Sequence, residues 1–237
     1  MAAQTGNRRE RLRRATLEEI RTAARLLLTS HGSEAVTINA VAREVGMSGP
    51  ALYHYFSSRE ALVGAVTADF FQELTERMET ARDGHPGGPS AQRLLAICRA
   101  MRGWATEHPA EFGWIFASPI PPSDRREDSA RHRAGQRFER VLLDEVAALW
   151  EARPFPVPAP GELDPSLREQ LAAYAISLDG RLPPEAVHVC LSCWSRLYGL
   201  LCMEVLHQLD FAYTDMEPVF EECLREVCER LGLPYAR

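Results

Sequence analysis

Hydrophobic positions along this chain recur at spacings of three and four almost throughout, and nowhere do they alternate for long enough to predict a strand. The pattern predicts an all-α protein. Near the start, Leu17, Ile20, Ala24, Leu27 and Leu28 share one face of a helix expected over about Thr16 to Ser30, with Gly32 as its stop. Ile38, Val41, Ala42 and Val45 follow at i, i+3, i+4 and i+7, and Thr37 stands where it caps their first turn. Gly46 ends that short helix. Ser48 then caps another, whose first turn tolerates Pro50 because the N–H that proline lacks has no partner there. Leu52 and Phe56, four apart, face inward and leave Gly49, Pro50, Tyr53, His54 and Tyr55 outside. Ser57 and Glu60 have capping-box spacing for a further helix from about Ser58, continued by Ala61, Leu62, Ala65, Val66 and Phe70.

Two short helices joined by a glycine turn, the second with small residues at its start, have the proportions of a helix-turn-helix that enters a DNA major groove end-first. The residues that carry this are Thr37, Val41-Ala42, Val45-Gly46-Met47-Ser48, Leu52-Tyr53-His54-Tyr55-Phe56 and Arg59-Glu60-Ala61-Leu62. In that order and without a gap, they resemble the N-terminal domain of the TetR family of transcriptional regulators, over about residues 14 to 70. The resemblance implies a three-helix helix-turn-helix domain at 14–60, a connecting helix at 61–82, and a larger helical ligand-binding and dimerisation domain at 83–237. It also implies double-stranded operator DNA as a partner, met by Thr37, Met47, Ser48, Gly49, Pro50, Ala51, Tyr53, His54, Tyr55 and Arg59. Arg59 stands where the family usually has lysine, and is expected to hold a phosphate. With Gly49-Pro50 opening the reading helix, base readout is expected from Ser48, Tyr53, His54 and thymine-methyl contact at Ala51.

Beyond the break Asp83–Ser90, helical patterns resume over about 91–107, 109–117, 130–151 and 166–178, with Pro-rich loops between the later ones. Two strong helices close the chain, at about 184–209 and 215–231. The first is apolar on nearly all sides, which requires burial on more than one side. Packed against their copies, the pair would build a four-helix bundle and a two-fold dimer, and the TetR resemblance implies a homodimer through the same helices. Trp104-x4-Pro109-x2-Phe112-x3-Phe116 and Trp194-x2-Leu197-x-Gly199-Leu200-x3-Glu204 resemble a regulatory C-terminal domain found in some of these regulators. Such domains often hold a small-molecule pocket. The effector is unknown, and the candidates for its wall are Trp104, Phe112, Phe116, Phe138, Trp194 and Tyr198; as bare residues they read equally as core aromatics. Gly199 in mid-helix is expected to permit a close helix approach or to open space for a ligand.

Charge divides the chain. The formal net charge is −6, yet residues 1–60 hold nine Arg against six acids, +3, so the remainder carries −9. A basic head on an acidic body suits DNA contact at one end. Arg8, Arg9, Arg11 and Arg13 make residues 1–13, with Arg14 just beyond, a candidate flexible basic arm for phosphates or a minor groove, or equally an ordinary solvated terminus. No apolar run is expected to span a bilayer and no signal-type segment follows the basic start, so a cytoplasmic location is the expectation. No nucleophile elbow, P-loop, HExxH or dinucleotide fingerprint occurs, and the seven His show no ligand spacing, so neither enzymatic activity nor a cofactor nor a metal is expected. Cys190-x-x-Cys193 leaves a thiol or metal sensor as an alternative, although zinc pairs usually sit on turns rather than within apolar helices. A second alternative is a small-molecule-binding or catalytic helical domain that uses its N-terminal helices to bind protein.

Overall fold

The computed structural model describes residues 2–120 and 122–237, with the backbone only for 2–7, 123 and 124. Among these residues the structure is helical, with ten α-helices and no strand. The chain divides into two compact units, residues 1–72 with 118–136, and residues 73–117 with 137–237. Two helices contribute to both.

The first unit begins with α1 (Ala2–His31), closed by Gly32 at φ +78°. The arm expected over residues 1–13 is not marked off: residues 8–13 continue α1, and the side chains of 1–7 lie outside the described residues. No Gly or Pro interrupts residues 7–31, and the Arg, Glu, Leu and Ala there are good helix formers. Helix α2 (Ile38–Glu44) follows, then α3 (Gly49–Leu52) and the first half of α4 (Arg59–Asp83). Ile20, Ala24 and Leu28 of α1, Ile38, Val41 and Ala42 of α2, Leu52, Phe56, and Leu62, Val66 and Phe70 of α4 are all buried. Arg25 lies over the Phe70 ring at 4.9 Å and Arg21 pairs with Asp69 at 3.2 Å, so two Arg of α1 brace α4.

The second unit holds α5 (Ser90–Glu107), α6 (Pro109–Phe112) running into one π-helical turn (Gly113–Ala117), α8 (Pro165–Ser177), α9 (Pro184–Val205), α10 (Glu217–Arg230) and most of α7 (Ala130–Ala152). Helix α9 packs against α5, α8 and α10. Leu94, Val146, Leu149, Leu171, Ala175, Ala186, Val187, Cys193, Val227 and Leu231 bring five helices into one core. Across it, three Arg of α5 reach three different helices: Arg93 to Glu145 of α7 at 2.9 Å, Arg99 to Glu221 of α10 at 2.8 Å through both carboxylate oxygens, and Arg102 to Glu204 of α9 at 2.7 Å. A buried carboxylate is tolerable only when paired and hydrogen-bonded, so these contacts also fix which helix faces meet. Glu204, the last residue of the Trp194 pattern, is held by Arg102.

The expectation that no apolar stretch could span a bilayer needs correction. Helix α9 is long and apolar enough to cross one by length and composition alone. Its packing against α5, α8 and α10 accounts for one apolar face, and Leu200, Met203 and Leu206 remain half-buried or exposed on another.

Candidate nucleic-acid interface and internal cavity

The α2–turn–α3 segment is built by short-range bonds. Thr37 Oγ1 accepts from the Ala40 N–H at 3.1 Å and Ser48 Oγ from the Ala51 N–H at 3.3 Å, each capping its helix. Gly46 takes φ +67°, a left-handed conformation that costs glycine nothing, and lets Met47 N–H return to the Ala42 carbonyl at 2.8 Å. Each capping hydroxyl uses an acceptor, which leaves its O–H to donate outward. A Cβ on Gly49 would lie 2.6 Å from Asn39 Oδ1, so glycine there lets α3 start close against α2. Asn39 is exposed at that junction and was missed; it sits on the polar side of the α2 stripe, where spacing alone gives it no distinction.

Helix α3 is short, Gly49–Leu52. After one α turn, His54 and Tyr55 N–H groups bond three residues back, to Ala51 at 3.2 Å and Leu52 at 2.9 Å, which tightens the end of the helix. Leu52 and Phe56 are buried; Thr37, Ser48, Pro50, Tyr53 and His54 are exposed; Met47, Gly49, Ala51 and Tyr55 are half-buried. Tyr53 is 56% exposed, large and apolar for a solvent-facing position. The unit that carries this face has thirteen Arg against ten acids, +3, so the positive balance read from residues 1–60 persists in the folded unit.

The cap of α4 is Ser58, whose Oγ accepts from the Ala61 N–H at 3.1 Å, rather than Ser57. Glu60 is held below the usual carboxylate range by a backbone hydrogen bond and by Ser58. Arg59 donates from Nε to the Val36 carbonyl at 2.7 Å and from Nη2 to the Ser33 carbonyl. Its fork therefore ties the start of α4 to the 3₁₀ turn Ser33–Ala35 ahead of α2, whereas a phosphate contact was expected of it.

In the second unit, five of the six aromatic candidates form one cluster. Phe116, on the π turn, has ring centroids of Phe112 at 4.7 Å, Phe138 and Tyr198 at 5.5 Å and Trp194 at 6.5 Å around it, and Tyr198 donates its hydroxyl to the Phe116 carbonyl. Trp104 is apart, buried and 5.2 Å from the His108 ring. A cavity of about 150 Å³ adjoins Phe138 and Trp194. Its wall comes from Leu94 and Cys98 of α5, Phe138 to Val146 of α7, Tyr174 of α8, Cys190 to Leu197 of α9, and Val227 and Leu231 at the end of α10. Trp104, Phe112, Phe116 and Tyr198 do not line it, because their rings and the Tyr198 hydroxyl are taken up in packing.

All six Cys are free thiols. Burial pushes Cys98 and Cys190 up to about 12 and Cys228 to about 11, so their reactive thiolate forms are disfavoured. Among the described residues no three His, Cys, Asp or Glu side chains converge to hold a metal. Gly199 is away from the cavity. With nothing of this chain within 4 Å of where its Cβ would be, it lies on an open groove formed by Ser195, Leu200 and Met203 of α9 with Tyr213, Pro218, Val219 and Cys223.

Comparison with known proteins agrees with both units. The model of bacterial regulatory proteins of the tetR family matches residues 20–66, and the model of tetracyclin repressor-like C-terminal domains matches residues 94–227, more than half of the chain. The chain belongs to the TetR family. Among TetR-type relatives, the HTH-type transcriptional regulator Rv1816 of Mycobacterium tuberculosis is 28% identical over 185 residues, 76% of each protein. The regulatory protein SCO4313 has a crystal structure with a TM-score of 0.71 at 28% identity, covering 93% of this chain and 98% of that one. A tetR family transcription regulator from Shewanella sp. PV-4 shares the fold at 15% identity, with a TM-score of 0.61 over 89% of this chain and 94% of its own.

Proposed function

We propose that this TetR-family regulator is a cytoplasmic, homodimeric, ligand-responsive repressor that binds a pseudo-palindromic operator and has no catalytic role. The observation that carries the DNA reading is the α2–turn–α3 face, with outward hydroxyls on Thr37 and Ser48 and exposed Tyr53 and His54 on the basic unit. In this reading Ser48, Tyr53, His54 and the Ala51 methyl meet bases, while Thr37 and Tyr55 meet phosphates; Met47, Gly49 and Pro50 set the approach of α3, and Asn39 joins the edge of the face. Arg59 acts by holding α4 and α2 in register. Dimerisation through α9 and α10 is supported by the groove at Gly199 and by exposed Met203, Leu206, Phe211 and Tyr213 beside it, an apolar surface that a second copy would cover. A two-fold dimer predicts half-sites about 34–36 Å apart, or a multiple of that.

The cavity supports the effector role, since a ligand that fits only one conformation of the body shifts DNA affinity by its differential binding to the two. A thiol sensor is disfavoured because desolvation raises all six thiols above their ordinary value, including the half-buried Cys190. The test is selection of fragmented genomic DNA by the purified protein at two salt concentrations. Enrichment of a pseudo-palindrome that weakens steeply with salt is expected; a salt-insensitive interaction with protein and no enriched sequence would overturn the reading.

A further inference from the structure

The cavity of about 150 Å³ is close in size to an engineered apolar cavity that holds one benzene ring, so a compact ligand of roughly one ring fits it. Leu142, Val146 and Leu197 supply aliphatic surface, and Phe138 and Trp194 supply rings whose centroids lie 5.7 Å apart at 64°. Both rings also pack on Phe116, so the aromatic part of the wall is set before any ligand arrives.

Charges of both signs stand near this wall, and each is already paired or in water. Three guanidiniums act on its thiols, Arg99 on Cys98 and Arg196 and Arg230 on Cys193. None of the three lines the cavity: Arg99 is forked onto Glu221, Arg196 pairs with Glu226, and Arg230 is exposed and donates to Ser192 Oγ at 2.9 Å. Glu139, the carboxylate in the lining, is exposed and has a partner of its own. The thiols report what the wall does to charge. Arg99 favours the Cys98 thiolate, yet burial pushes that thiol up to about 12, and Cys190 reaches the same value. Desolvation therefore outweighs the guanidiniums at this surface.

We propose that the cavity binds a compact uncharged molecule, apolar over a single ring or its equivalent, seated between Phe138, Leu142 and Trp194. Such a ligand removes apolar surface from water, its own and that of the wall, without stripping water from an ion. An ammonium or a carboxylate of the same size would be partly desolvated beside ions that already have partners, with no counter-charge to offset the loss. The other polar atoms of the wall are neutral: the thiols and the Tyr174 hydroxyl, which burial, Glu139 and Cys190 all keep protonated. The proposal deepens the effector reading above and rests on it for any regulatory consequence.

The full-length protein is titrated near neutral pH with toluene, benzylamine and benzoate, one ring with no charge, a positive charge and a negative charge, and binding is read by calorimetry. Toluene is expected to bind at least about tenfold more tightly than either ion. Leu142→Trp should abolish toluene binding by filling the cavity, and Leu142→Ala should bind naphthalene more tightly than the native protein does by enlarging it; circular dichroism checks the helicity of both. Either ion binding as tightly as toluene, toluene binding undiminished in a helical Leu142→Trp, no gain for naphthalene in a helical Leu142→Ala, or no binding of toluene at all would each overturn the proposal. Operator affinity with and without toluene is then measured on the DNA recovered by genomic selection. Toluene binding without an operator response leaves the ligand class standing and removes the effector role.

Discussion

Replacing Arg59 tests whether this side chain acts on DNA directly or through the fold. Its guanidinium donates to the Val36 and Ser33 carbonyls, both more than twenty residues earlier in the chain. A hydrogen bond with a charged partner contributes about 1.5–3 kcal/mol, and with a half-exposed side chain the low end applies. Arg59→Ala should therefore lose about 2–3 kcal/mol in total, because two carbonyls lose their partner together. In a chain of this size that corresponds to a fall in Tm of about 4–12 °C. The operator side of the assay is fluorescence anisotropy over a series of salt concentrations. Each phosphate contact contributes about 0.9 to the slope of log K against log salt, so a positioning role predicts weaker binding with the slope unchanged. Arg59→Lys sharpens the test: an ammonium keeps the charge but cannot reproduce the fork to two carbonyls, so the loss of stability should persist. Unchanged thermal stability in Arg59→Ala together with a slope smaller by about one would refute the clamp and restore the phosphate contact.

Tyr53→Ala should change stability by less than about 0.5 kcal/mol, since the side chain is exposed, and still weaken operator binding by about tenfold, as expected for loss of one specific contact; an unchanged affinity would mean that α3 does not read DNA as assigned. Hydrogen bonds from Arg99, helped by Tyr235, hold the Glu221 carboxyl below its usual value against the opposing effect of burial. A folded-state value below the unfolded one means that the stabilisation is complete above about pH 4.5 and is lost as pH falls through the lowered value. The stability difference between the native protein and Glu221→Gln, read from urea midpoints, should then shrink between pH 5 and pH 3, and a constant difference would remove Arg99–Glu221 as its source. Met203→Glu and Gly199→Phe should each convert a dimer to monomer in sedimentation velocity, with helicity unchanged by circular dichroism. A dimer that survives both would move the interface away from α9.

The structure departs from the sequence reading where a side chain's partner is distant along the chain. Thr37, Gly46 and Ser48 were legible because a cap or a left-handed glycine turn is completed within a few residues. Ser57 and Ser58 are adjacent and chemically identical, so spacing alone could not tell which would turn toward Ala61. Arg59 was harder, since its destination is a pair of carbonyls in a 3₁₀ turn that only tertiary structure brings near α4. The cavity shows the same limit in another form. The resemblance to a regulatory C-terminal domain pointed to Trp104, Phe112, Phe116 and Tyr198, yet these large rings fill space by packing, and a void is left where the wall is made mostly of ordinary core residues such as Leu142, Val146 and Cys190. Such residues become distinctive only once α5, α7, α8 and α9 are set against one another. Gly199 was legible as an anomaly but ambiguous in direction. A glycine costs about 1 kcal/mol in mid-helix relative to alanine, and the absence of any atom of this chain within 4 Å of its Cβ position excludes intrachain helix packing as the compensation. The cavity is excluded as well, because Gly199 does not line it. Gly199 instead lines the open groove with Leu200 and Met203, the space that a second copy would enter in the proposed dimer.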